Sequence, residues 1–167
     1  HLKGYRESGP VRIGNGAAGQ SQHDIYGEVL SSAYILAQTG HSVTEEHWNL
    51  LQTLANHAAE RWTEPDSGIW EVRGGPFHFV HSKVMCWVAL DRAIKLGKEI
   101  DHPDDIAKWE AAAEAIKAQV LELGWNEEKQ TFVQHYDTDA VDASSLLIPI
   151  VGFLPDNDPR VASTVAR

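Results

Sequence analysis

The chain has a single cysteine, Cys86, so no internal disulfide is available and no disulfide framework holds the fold. Cys86 lies inside VMCWVAL at 84–90, and core packing is its expected role. That stretch is the longest apolar run, far short of the roughly 20 residues that span a bilayer, and no membrane partner is expected. Positive charge is also scarce. Fourteen Lys and Arg against 24 Asp and Glu leave a formal net charge of −10, which disfavours a nucleic-acid partner, because phosphate binding needs clustered cations. A neutral or polar substrate fits better. No glycine loop carries the lysine that would cradle a phosphate, and no serine nucleophile elbow is present. His78 and His81 are three apart, but no Cys or carboxylate stands at ligand spacing beside them. They are expected to line a polar surface or to sit satisfied in the core. No metal and no cofactor are expected.

No leader precedes His1, and the chain opens without a methionine. It stops at RVASTVAR, 160–167, which reads as a helix cut short. The expectation is a piece of a longer, cytoplasmic protein, missing segments on both sides.

What is present suits one domain with a real core: 167 residues, 43% of them apolar. Residues 1–21 are glycine-rich and polar, with a turn signal at Gly14, Asn15 and Gly16. A helix is predicted over 22–38, with Ile25, Val29, Ala33 and Leu36 on one stripe. Gly40 ends it. Ser42 or Thr44 caps the next, with Glu45 and Glu46 in its first turn. Trp48, Leu51, Ala55, Ala58 and Trp62 give that second helix one apolar face. A third, over 81–96, is apolar nearly all round and is expected to be buried on most sides. A fourth follows His102, Pro103 and Asp104, with Trp109, Ala113, Ile116 and Val120 aligned. A fifth apolar segment covers 143–151 and a sixth begins near Pro159. Strand signals are few, with 131–136 the best short candidate.

A faint repeat, offset by about sixty residues, alternates one-sided helices with all-apolar ones. Helical hairpins in two layers follow from that, and the natural closed form is an all-α toroid of α/α hairpins. Three hairpins supply roughly half of a six-hairpin barrel. Half a ring would leave 81–96 and 143–151 without neighbours, exposing Val84, Trp87, Val88, Leu147 and Ile148. The isolated piece is therefore expected to self-associate or to fold poorly.

Two stretches carry chemistry. GIWEVRGGP at 68–76 sets Glu71 between Trp70 and Arg73 in a loop too irregular for helix or strand. An indole beside a carboxyl takes water from it and favours the protonated form, which a general acid needs. Arg73 pulls the other way, and the plain alternative is a loop carboxylate paired with that arginine. QSQHDIYGE at 20–28 places Asp24 and Glu28 four apart on one helix face. With Gln22 they are suited to fixing sugar hydroxyls, or simply to solvating a helix start.

Taken together, GYR at 4–6, PVRIGN at 10–15, QHDIYGE at 22–28, GIWEVRGG at 68–75, HSKVMCW at 81–87, DASSLL at 142–147 and VGFLP at 151–155 resemble the bacterial branch of the glucoamylase family, glycoside hydrolase family 15. The likeness covers essentially the whole chain. It implies an α/α six-hairpin barrel that hydrolyses α-linked glucosides with inversion, so a carbohydrate is the expected partner. The resemblance makes Glu71 the general acid and puts Trp70, Arg73, Gln22 and Asp24 at the substrate. Fungal relatives have a tryptophan where this chain has Ala18 and a second Glu where it has Val72; both departures affect outer sugar sites and point away from starch. The resemblance also places the catalytic base beyond Arg167 and a sugar-gripping Arg-Asp pair before His1, so residues 1–167 alone are expected to hydrolyse no glucoside at a useful rate. The rival reading is a non-catalytic helical repeat module whose groove binds a glycan or a protein. The enzyme reading expects Glu71 and Asp24 to share one cavity.

Overall fold

The computed structural model describes residues 4–11, 14, 16–72, 74–103 and 105–167. Arg73 of the expected site lies outside the described residues, as do Arg12, Ile13, Asn15 and Asp104 of the motifs and helix boundaries above. The chain is all-α: α1 is Asp24–Gln38, α2 Glu45–Arg61, α3 Val80–Glu99, α4 Ile106–Leu123, α5 Leu147–Ile150 and α6 Pro159–Val165. A two-residue antiparallel ladder, β1 Trp125–Asn126 with β2 Thr131–Phe132, pairs Trp125 with Phe132.

The helix starts follow local chemistry. The Thr44 side chain accepts from the His47 N–H at 3.2 Å and caps α2, with Glu45 and Glu46 in the first turn, where the helix dipole favours negative charge. Trp48, Leu51, Ala55 and Ala58 of α2, and Trp109, Ala113, Ile116 and Val120 of α4, are the buried faces, as their spacing predicts. The Trp109 indole donates to Asn56 Oδ1 at 3.0 Å, tying these two helices together. In the middle runs α3, packed on α1, α2 and α4 and buried along almost every residue of its first three turns. Pairs α1–α2 and α3–α4 are compatible with an arc of the expected toroid. Among the described residues no helix is long and apolar enough to cross a membrane.

Two expectations need correction. Ile25 and Leu36 on the expected α1 stripe are each 53% exposed, and the buried positions of α1 are Gly27 and Leu30. The reason is a close crossing with α3: a Cβ on Gly27 would stand 2.3 Å from the Met85 carbonyl oxygen, so only glycine fits. Val29, Ala33 and Leu36 of the stripe instead line an apolar cavity of about 560 Å³ between α1 and α2, with Leu50 and Leu51 opposite. Of the residues expected to lie open in 81–96 and 143–151, Leu147 is half-buried and the others below are covered, while Leu146 and Ile150 beside them stay exposed. Val84, Val88 and Ile148 are buried, and the half-buried Trp87 packs edge-on against Phe153 at 5.2 Å. Helices α1, α2 and α4 pack around α3, and Phe153, in the loop after α5, covers Trp87, a contact the hairpin pattern did not anticipate.

Candidate active site

The connection from α2 to α3 carries Trp70 and Glu71, and its shape is enforced from below. Lys83, fully buried on α3, donates to the carbonyl oxygens of Trp62 and Glu64 at 2.5 Å each, serving the electronegative end of α2. Burial holds its ammonium below the usual lysine range. Asp66 and Phe77 then exchange backbone hydrogen bonds of 3.0 and 2.9 Å and pinch the loop at its base. Gly68 turns the chain at φ +65°, with the Phe79 ring 2.7 Å from where a Cβ would be. Three residues on, Glu71 also lies in the left-handed region at φ +48°. A non-glycine residue adopts that conformation at a cost, and such residues concentrate at functional sites.

The segment before α1 docks on this loop. The Ser67 N–H donates to the Ser21 carbonyl at 2.9 Å, and the His23 N–H to buried Asp66 Oδ2 at 3.0 Å. Gln22 Nε2 reaches the Gly68 carbonyl at 3.4 Å, and Gln20 Nε2 reaches those of Glu71 at 3.5 Å and Val72 at 3.4 Å. A cavity of about 360 Å³ opens at the junction, lined by Gly19, Gln20, Ser67, Val72 and Pro76 rather than by Glu71 or Asp24. Thus the two chemistry-bearing stretches meet, some fifty residues apart in sequence.

Asp24 opens α1 and turns toward His81, with Oδ2 4.0 Å from Nδ1. Burial pushes the Asp24 carboxyl above its ordinary range, opposed by His81 and reinforced by Asp66. His81 is buried, and neither ring nitrogen has a hydrogen-bond partner among the described residues. His78 stacks on Tyr136 with ring centres 5.7 Å apart, and the buried Tyr136 hydroxyl also lacks a partner there. Among the described residues no group of three metal-ligating side chains is gathered. Cys86 packs in the core with its thiol pushed up to about 12 by burial.

The buried imidazoles give stability a pH dependence of definite sign. Burial lowers His23, His78 and His81 below the usual 6.5. For His81 this outweighs the opposing pull of Asp24, Glu28, Asp142 and Asp66. The unfolded chain therefore takes up protons that the fold refuses, so stability present above about pH 6.5 is lost as pH falls toward the depressed folded values. Asp24 acts oppositely, its contribution being complete below its usual 3.8 and lost as pH rises through the raised folded value. The melting temperature of the protein is expected to drop between pH 7.5 and 6.0, and His81→Gln to shrink that drop. An equal melting temperature at both pH values would contradict the neutral, buried histidines.

Trp70 departs from expectation. Trp70 is 57% exposed and Glu71 is exposed, so within the described residues the indole does not bury the carboxyl. It is engaged elsewhere: Trp70 Nε1 donates to Asp142 Oδ2 at 2.8 Å. The sequence reading left out Asp142 and the buried Asp66, Ser82 and Tyr136 as site residues. Asp142, at the head of DASSLL, and Ser82, within HSKVMCW, lie in stretches that carry the family resemblance, but the partner of Asp142 is 72 residues away.

The sequence model of glycosyl hydrolases family 15 matches residues 1–167 in full. The chain belongs to that family. Among curated family relatives, a trehalase of Mycobacterium tuberculosis is 49% identical over 165 residues, covering 99% of this chain and 24% of the relative. A trehalase of Mycolicibacterium smegmatis is 48% identical with 99% and 25% coverage, and one of Thermoplasma volcanium 39% identical with 99% and 26%. The chain therefore spans about a quarter of the length of these family 15 relatives.

Proposed function

We propose that residues 1–167 form the acid-bearing central part of a catalytic α/α barrel that hydrolyses an α-linked glucoside with inversion, trehalose being the substrate its relatives' names favour. One observation carries this reading: within a chain of this family, Glu71 stands in a left-handed loop conformation, flanked by a gripped Trp70 and contacted on its carbonyl by Gln20.

In the mechanism we assign, the Glu71 carboxyl donates its proton to the glycosidic oxygen as the bond from that oxygen to the anomeric carbon breaks. Water attacks the same carbon from the opposite face and gives its proton to a second carboxylate, which in inverting enzymes stands about 6.5–9.5 Å from the acid. That base lies outside this chain, so residues 1–167 alone hydrolyse no glucoside. Gln22 and Asp24 hold sugar hydroxyls beside the loop, and Trp70 and Arg73 are assigned to substrate binding with them. Among the described residues, His81 and Tyr136 have polar atoms without a partner, and on this reading they stand just behind the sugar site. The isolated piece self-associates through the open apolar residues of α1 and α2, Ile25, Ile35, Leu36 and Leu50. No cofactor is invoked.

Product stereochemistry tests the reading. Inversion at one carbon of trehalose gives β-glucose from the attacked ring and α-glucose from the leaving one. Proton NMR of the full-length protein's first products should therefore show equal amounts of the two anomers. Release of α-glucose alone would mean retention and would remove the inverting mechanism.

A further inference from the structure

Glu71 holds an unfavourable backbone conformation in an exposed loop, so something must fix it. On one side the Gln20 amide reaches the carbonyls of Glu71 and Val72, both long contacts. On the other stands a shorter and more ordered set of bonds around Asp142. Its Oδ2 accepts from Trp70 Nε1 and from Gln134 Nε2, each at 2.8 Å. Its Oδ1 accepts from the Ser144 N–H at 2.7 Å, capping the 3-10 turn Ala143–Leu146. Gln134 is itself anchored, its N–H donating to the Ala140 carbonyl at 2.8 Å and its carbonyl accepting from the Val80 N–H at 3.0 Å. A continuous line of hydrogen bonds thus runs from the start of the central helix α3 through Gln134 and Asp142 to the residue next to Glu71.

The chemistry of Asp142 suits that task. Donors from Trp70, Gln134 and Ser144 converge on its two oxygens, and a carboxylate offers only acceptors. Hydrogen bonds to an ionised acceptor are also shorter and stronger than neutral ones. Burial pushes this carboxyl up, but the Ser144 N–H, Gln134, the Ser144 side chain and Trp70 together hold it below the usual range. Asparagine would turn an NH₂ group against one of these donors and break the set. We infer that Asp142 is a positioning residue for the acid, fixing the Trp70 indole and through it the backbone and aim of Glu71.

The inference rests on the acid role proposed for Glu71, and the test separates the two. Turnover and KM of the full-length protein on trehalose are measured for Asp142→Asn, Trp70→Phe, the double variant and Glu71→Gln. Trp70→Phe keeps an aromatic ring and removes only the donor, at an exposed position where the fold tolerates change. Each single substitution is expected to lower kcat about 10–10²-fold, the scale on which misplacement of a reacting group acts. KM should move less for Asp142→Asn. The double variant should be no slower than the slower single one, because both break one bond. A merely structural Asp142 would give losses that multiply and follow a lowered melting temperature. That outcome, or wild-type kcat in either single variant while Glu71→Gln is inactive, overturns the inference and leaves the acid role standing. Wild-type turnover in Glu71→Gln overturns both.

Discussion

Replacing Glu71 by glutamine in the full-length protein is expected to cut turnover of trehalose about 10²–10⁴-fold while leaving KM close to wild type. The loss corresponds to about 3–5 kcal/mol of transition-state stabilisation, the usual worth of a positioned proton donor. Glutamine keeps the length of the side chain, and the turn is held by the Glu71 N–H on the Gly68 carbonyl, by the Gln20 amide and by Trp70 on Asp142 rather than by the carboxyl. The loop should therefore keep its shape while losing its proton. Steady-state kinetics supply the check. A large rise in KM with kcat unchanged would assign Glu71 to substrate binding instead. Both Glu71 and Trp70 are exposed among the described residues, so the proposed acid role calls for a dry environment supplied by bound sugar and by groups outside this chain.

Asp24→Asn is expected to produce the second large effect, a loss of about 10–10²-fold in kcat/KM, the size of one or two hydrogen bonds to a charged group. The change conserves shape, so the helix start and its packing should survive. It removes an acceptor held beside Gln22 and 4.0 Å from His81. It should also raise the melting temperature slightly at neutral pH, because Asp24 carries an energetic penalty for ionising in a buried setting. Kinetics across a panel of α-glucosides, with thermal unfolding alongside, test both parts. Wild-type kcat/KM on every member of the panel would remove Asp24 from the sugar site.

Much of this was legible in local sequence, and the rest was not for physical reasons. The Thr44 cap and the faces of α2 and α4 follow from nearest-neighbour chemistry and helical spacing, which a single sequence records. The α1 stripe was misplaced because α1 is apolar on more than one side, and spacing does not say which side meets α3. Gly27 decides it, through a contact with Met85 that only the fold reveals. The site divides in the same way. Trp70 and Glu71 announce themselves as neighbours in a glycine-rich loop, and Gln22 with Asp24 as a cluster at a helix start. That the two stretches dock together, that the Trp70 indole turns to Asp142 rather than to Glu71, and that His81 lies opposite Asp24 are contacts between residues 46 to 72 positions apart. No periodicity encodes them.

The acid role of Glu71 is tested most directly by changing the leaving group. Trehalose must receive a proton on its glycosidic oxygen, whereas α-glucosyl fluoride releases fluoride without one. The decisive measurement is the ratio of wild-type to Glu71→Gln turnover on the two substrates, with the full-length protein. A loss of about 10²–10⁴-fold on trehalose beside one of about tenfold or less on the fluoride is the result that proton donation predicts. Equal losses on both substrates would contradict it.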